Sequence, residues 1–276
     1  MTATDELADA VGAAAATGIE IRVPYRVRFD ECAPDGIARS STLLRYAQDL
    51  AWIHSERRGF TREWYAERNL AWVVRAAELV VLAPVPLGAT LELSTRVIGF
   101  RRVWARRRTE GRLADGTLAL WGHTDWVITD TVRGTPGRVP PEFLDAFAVP
   151  PGSFEPGRIA LPDRPEATRT LAVAVRPQDL DPMGHVNNAA YLDYLEESLL
   201  AEGGAAGALT TALPRRLRLE YLLAAMPGAT LAGTTWPLTA SEGEAGDRGR
   251  AWSLTDDAGR ELARGLVTPD AGALGR

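Results

Sequence analysis

The chain carries one pattern twice. Val27-Arg28 set over Val175-Arg176 opens a gapless register at an offset of 148, pairing Pro34 with Pro182, Gly36 with Gly184, Leu44 with Leu192 and Tyr46 with Tyr194. Farther on, Gly88-Ala89-Thr90-Leu91 recurs as Gly228-Ala229-Thr230-Leu231 at an offset of 140, so eight residues are lost between the two anchors. Two anchors in the same order mark a duplication. Such a duplication constrains the fold strongly, because each copy must be the same structural unit.

Each copy reads alike. A strand (Ile19 to Phe29; Thr170 to Arg176) leads into a turn rich in Asp, Pro and Gly, and then into one amphipathic helix. In the second copy Tyr191, Tyr194, Leu195, Ser198 and Leu199 follow the spacing of a buried helical stripe. Asn187 or Asn188 can cap its start, and Gly203-Gly204 stops it. The first helix begins near Ser40-Ser41, buries Leu43, Ala47 and Leu50, and ends at Gly59. Strand patterns follow: Leu217, Leu219, Tyr221 and Leu223 alternate with Arg216, Arg218, Glu220 and Leu222. In the first copy strands are expected at Trp72 to Leu82, Thr90 to Thr109 and Thr117 to Thr129. The reading is α+β, twice: a loose tail over 1–18, a first half over 19–132, a Pro-rich linker over 133–167 with a short helix at Pro141 to Phe147, and a second half over 168–276.

Composition narrows the function. The 276 residues allow one large domain or two of about 120 residues. All 31 basic residues are arginine, against 36 acidic ones, and the net charge of −5 argues against a nucleic-acid partner. One cysteine, Cys32, excludes an internal disulfide framework, and three scattered histidines show no metal-ligand spacing. Arg75 and Glu78 interrupt the longest apolar stretch, so no membrane span is expected. Residues 1–18 lack a signal-peptide pattern, which gives a cytoplasmic expectation.

Chemistry concentrates in Asp179-Leu180-Asp181-Pro182-Met183-Gly184-His185-Val186-Asn187-Asn188. Two carboxylates, an imidazole and two amides lie in a turn that opens onto a helix, where backbone N–H groups can hold a developing oxyanion. A carboxylate just upstream can face the same carbonyl carbon as base or nucleophile. Gly184 would let a substrate approach the backbone. The alternative is a capped turn, with Asp181 and Asn188 as caps. Elsewhere Cys32 reads as a small buried hydrophobe, His54 as a packed histidine, and His123 with Asp125 as a structural pair on one strand face. Arg101-Arg102 and Arg106-Arg107-Arg108 read as one basic run within a strand, either a solvated face or a dock for an acidic carrier or for phosphates.

The turn segment resembles the D-x-x-G-[HI]-V motif of hotdog-fold thioesterases of the 4-hydroxybenzoyl-CoA type. DLDPMGHVNNAAYLDYLEE is still more similar to the C-terminal half of the acyl-ACP thioesterases, which read D-x-x-x-H-V-N-N-x-x-Y. ECAPDGIARSSTLLRYAQDLAWIHSERRGF resembles their N-terminal half, and Trp72-Val73-Val74 and Trp126-Val127-Ile128 sit where that family carries its W-V strands. The resemblance implies a tandem double hotdog, two sheets side by side, each wrapped around one long central helix. It implies hydrolysis of an acyl thioester, carried by acyl carrier protein or CoA, to free fatty acid and thiol, with no cofactor or metal. Asp181 and His185 take the family's catalytic positions, with Asn187 positioning. Gly184 and the N–H groups of Val186 and Asn188 would bind substrate, and Arg106 and Arg108 the carrier. The first half holds Ala33 and Ile37 opposite Asp181 and His185, so one site per chain is expected, in a monomer with an internal pseudo-dimer or in a homodimer. Met183, Ala224 and Ala225 replace polar residues of the plant-type family pattern. A dehydratase acting on 3-hydroxyacyl thioesters and a non-catalytic acyl-thioester binder are the alternatives.

Overall fold

Side-chain alternation builds the sheet. In the computed structural model, which describes residues 19–149, 154–166, 168–238 and 249–269, the first half supplies β1 (Glu20–Arg26), β2 (Leu70–Val81), β3 (Thr90–Arg101), β4 (Trp104–Leu113), β5 (Leu118–Asp130) and the two-residue β6 (Thr135–Pro136). The second half supplies β7 (Arg169–Ala174), β8 (Arg215–Tyr221), β9 (Thr230–Pro237), β10 (Arg250–Thr255) and β11 (Glu261–Pro269). The expected tail over 1–18 and parts of the expected linker lie outside the described residues.

The strand order is β1-β3-β4-β5-β2-β8-β11-β10-β9-β7, with β6 paired to β5. Read from the centre outward, each side repeats the other, as two copies related by a pseudo-twofold axis must. The two sheets expected side by side join edge to edge into one continuous antiparallel sheet. Its seam is β2 against β8, where Ala77 faces Leu219, Glu78 faces Arg218 and Leu79 faces Leu217. Glu78 and Arg218 are counterparts at the offset of 140, so the pseudo-axis passes between them.

Helix α1 (Ser40–Arg57) and helix α4 (Ala190–Glu202) lie on one face of this sheet, and a single apolar core runs beneath both. Leu43, Ala47 and Leu50 are buried on α1, and Tyr191, Tyr194, Leu195, Ser198 and Leu199 on α4. Three short helices complete the set: α2 (Arg62–Glu67), α3 (Pro141–Phe147) and α5 (Gly204–Ala208). Helix α3 forms where Pro141 opens it, and it buries Phe143 and Phe147 in a satellite core with Phe60. On the opposite, outer face, a strap of linker crosses the seam. Gly157 N–H donates to Asp125 on β5, Ile159 N–H donates to Glu220 on β8, and Arg264 on β11 donates to the Ile159 carbonyl.

Three expected boundaries change. The strand over Thr90 to Thr109 is two strands, turned at Arg102, which takes a left-handed φ of 53° without being glycine. Strand β8 stops at Tyr221, and Leu223 lies exposed in the following loop, whose Leu222 and Leu223 N–H groups donate to the Leu262 carbonyl. The first strand ends at Arg26, ahead of a short 3-10 turn over Phe29–Glu31.

Candidate active site

The duplication extends to individual hydrogen bonds around the two pre-helix turns. Asp181 N–H donates to His185 O and Gly184 N–H to Asp181 O, just as Ala33 N–H donates to Ile37 O and Gly36 N–H to Ala33 O. Val186 N–H reaches Ala225 O as Ala38 N–H reaches Val85 O, and Asn187 N–H reaches Asp179 O as Arg39 N–H reaches Glu31 O. Each turn hangs on a carboxylate, buried in the second half and half-buried in the first. Asp179 accepts from Arg176 and from Tyr194 Oη at 2.7 Å, and Glu31 accepts from Arg28 and from Tyr46 Oη. Burial pushes the Asp179 carboxyl upward, but the Arg176 and Tyr194 donors outweigh it and hold the group below the usual carboxylate range. These scaffolds were visible in the sequence as Arg28/Glu31/Tyr46 recurring as Arg176/Asp179/Tyr194 at one offset, although their joint role was not foreseen.

What the two turns share is scaffold, and this revises several assignments. Gly184 has φ +81° and Gly36 has φ +79°, so this glycine makes the left-handed turn in both halves. The N–H groups of Val186 and Asn187 are spent on Ala225 and Asp179, so neither is available to an oxyanion. Asn187 Oδ1 accepts from Ala189 N–H at 2.9 Å in the turn that leads into α4, whose N-cap position is Ala189 with no side-chain cap, so the expected Asn187 or Asn188 cap is not formed. Among the described residues only Asn188 N–H, of those three, has no acceptor, while its carbonyl accepts from Tyr221 Oη at 2.9 Å.

What the turns do not share is Asp181 and His185. Asp181 Oδ1 accepts from Met183 N–H at 2.8 Å, which fixes the carboxylate plane. Its Oδ2 lies 3.6 Å from His185 Nδ1, and that nitrogen is 3.2 Å from Val186 O. Asp181 keeps 14% of its side chain exposed and His185 29%, so both are reachable from solvent. Behind them Tyr191 Oη, buried on α4, accepts from Ala225 N–H at 2.8 Å. Ala225 thus ties the loop after β8 to the turn through its backbone, where no polar side chain is needed.

Arg106 and Arg108 are not part of this assembly. Arg107, between them, is buried on the helix face and donates to His54 Nδ1 on α1 at 2.9 Å, and burial lowers its pKa to about 10. Alternation then puts Arg106 and Arg108 on the outer face. Arg106 forms a two-point pair with Asp125 at 2.6 and 2.8 Å and donates to Glu155 O, and Arg108 donates to Glu110 and stacks over Trp121. Their charges are spent within the fold. His123 and Asp125 are likewise partnered separately, His123 with Glu78 at 3.5 Å and Asp125 with Arg106. Cys32 is buried, and burial raises its thiol pKa, as a packed hydrophobe requires. Among the described residues no group of His, Cys, Asp and Glu could hold a metal ion, and no helix is long and apolar enough to cross a membrane.

Family models decide what this tandem arrangement is. The acyl-ACP thioesterase N-terminal domain matches residues 19–147, and the acyl-ACP thioesterase C-terminal domain matches residues 163–262. The chain belongs to the acyl-ACP thioesterase family. A palmitoyl-acyl carrier protein thioesterase of Cuphea hookeriana is 26% identical over 209 residues, covering 68% of this chain and 49% of that one. A counterpart from Gossypium hirsutum is 24% identical over 206 residues, covering 68% and 49%. The chain spans about half the length of these curated relatives. Among solved structures, a putative oleoyl thioesterase from Lactobacillus plantarum superposes with a TM-score of 0.76 at 20% identity, covering 90% of this chain and 94% of that one. A 12:0-ACP thioesterase from Umbellularia californica gives a TM-score of 0.71 at 20% identity, covering 91% and 96%. The fold is accordingly a tandem double hotdog.

Proposed function

We propose that the chain hydrolyses an acyl thioester, with acyl-ACP as the substrate class, at the turn that opens α4. The observation that carries this reading is the contrast between the turns: on matched backbones, only the second sets a part-buried carboxylate, one oxygen pinned by Met183 N–H, beside an imidazole, whereas the first holds Asp35, pinned by Ile37 N–H, with Ile37 in the imidazole's place. Family membership supports it, and the relatives' names give the carrier. In the proposed reaction Asp181 Oδ2 takes a proton from water as the water oxygen bonds to the thioester carbonyl carbon. The carbonyl oxygen becomes an oxyanion held by Asn188 N–H. Collapse breaks the C–S bond, the proton passes to the leaving sulfur, and a fatty acid and the carrier thiol depart. His185 positions the Asp181 carboxylate. Met183 and the backbone-bound Ala225 leave this aspartate as the principal catalyst.

The test is thiol release from acyl-ACP and acyl-CoA by the wild type and by Asp181→Asn. The amide oxygen can still accept from Met183 N–H, so the turn should survive. Turnover is expected to fall by roughly 10² or more, as for loss of a general base, with the melting temperature nearly unchanged. Turnover surviving in Asp181→Asn would place the chemistry elsewhere. Retained ligand without turnover in the wild type would make the chain a binder.

A further inference from the structure

The strap and the sheet line a half-open cavity of about 730 Å3 on the outer face, on the side of the sheet away from α1 and α4. Its size falls within the range of small-molecule sites. Its floor crosses four neighbouring strands in order: Trp104 on β4, Val127 on β5, Val73 on β2 and Glu220 on β8. At about 4.8 Å per strand this is a trough on the order of 14 Å long. The β4 to β2 stretch is apolar, with Val103 joining the floor, and Val73 is 40% exposed there.

Charge collects at the other end. A bulge in β2 between Val74 and Ala76 breaks the alternation at Arg75, which lines the cavity. Arg215, its counterpart at the offset of 140, instead points inward and donates to Ser40 at the start of α1. Arg75 spends one N–H on the Leu222 carbonyl. Arg158, from the strap, brings a second guanidinium with no hydrogen bond or ion pair among the described residues. Glu220, the one acidic lining residue, accepts from Ile159 N–H.

We propose that this cavity binds a medium- or long-chain carboxylate, with the alkyl chain along Val127, Val73 and Trp104 and the carboxylate between Arg75 and Arg158. A planar guanidinium suits a carboxylate, and two of them against one glutamate favour an anion over a cation or an alcohol. The site is separate from the Asp181 turn, and the inference does not depend on the thioester reading.

Binding is read with dodecanoate by calorimetry, and with a terminally brominated analogue that quenches tryptophan on contact. The expected result is quenching that is largely lost in Trp104→Phe, and an affinity for that site reduced roughly tenfold or more in Arg75→Gln/Arg158→Gln, the loss of charged hydrogen bonds. Dodecanol should bind it correspondingly more weakly than dodecanoate. Asp181→Asn should leave the Trp104 quenching intact, which separates this cavity from the catalytic turn. Melting curves show whether each variant is folded, and Val73→Phe, which fills the trough without adding a tryptophan to it, should weaken the Trp104 quenching independently. Quenching unaffected by Trp104→Phe, equal binding of the alcohol, or an arginine double variant that folds and binds like the wild type would overturn the proposal.

Discussion

The two pre-helix turns share a backbone and differ in chemistry. Ala33 to Ile37 and Asp181 to His185 use the same turn hydrogen bonds, the same left-handed glycine and the same Arg–carboxylate–Tyr anchor. The first turn opens onto Ser40, which is fully buried and bonded to Arg215, whereas the second opens onto Asn188, which is partly exposed. Duplication therefore preserved the scaffold, while access and the carboxylate diverged. A feature present in both halves serves folding, and the Val186 and Asn187 N–H groups, bound alike in both, are occupied by Ala225 and Asp179.

The sharpest way to break this comparison is a transplant. Ala33→Asp/Ile37→His in an Asp181→Asn background should leave thiol release down by the same roughly 10² or more, because the buried Ser40 keeps substrate from the first turn. Rescue to within a few-fold of wild type would mean that the turn alone makes the site. The next largest effects are on stability. Tyr194→Phe removes a hydrogen bond to a buried, charged Asp179 and should cost about 2 kcal/mol in denaturant unfolding. Tyr46→Phe, against the less buried Glu31, should cost less, and a larger loss in the first half would show that the anchors are not equivalent.

The pseudo-axis gives the smaller tests. Burial would push the Glu78 carboxyl up, but His123 and Arg216 overcome this and lower its pKa from the ordinary 4.5 to about 2. A carboxyl depressed by folding stabilises above its unfolded pKa and loses that contribution as pH falls through the folded value. Stability at the β2–β8 seam should therefore decline from about pH 4.5 toward 2, and Glu78→Gln should flatten this acid limb in urea titrations across that window. Smallest is Arg45 with Asp193, 3.0 Å apart and exact counterparts at the offset of 148. In a true homodimer a residue on the axis meets itself, whereas fused halves allow opposite charges there. Arg45→Asp/Asp193→Arg should match the wild type, while either single reversal should cost on the order of 0.5 kcal/mol; equal costs for the single and double variants would show that the pair does not interact.

Much of this was legible because it is local. Helix α3 follows from Pro141 and its apolar residues, α4 from its stripe, and the turn from its Asp, Pro and Gly. The β3–β4 reversal was not legible, since Arg102 and Val103 carry none of the Gly or Asn that usually announces a positive φ. The basic run misled for the same reason: the hidden turn and the strand alternation send Arg107 inward and Arg106 and Arg108 outward.

The duplication, the places of α1, α3 and α4 and the uniqueness of the Asp181/His185 turn are determined by the sequence, because each rests on residues close together along the chain or on a register repeated within it. The tertiary structure alone decided that the halves share one sheet, and that Arg106 and Arg108 are consumed by Asp125 and Glu110. It also decided which N–H groups of the turn remain free, since Val186 is bound by Ala225, which lies in the loop after β8. Such groups are claimed by partners distant in sequence, and a hydrogen-bond donor is available to a substrate only once the fold has shown who else accepts from it.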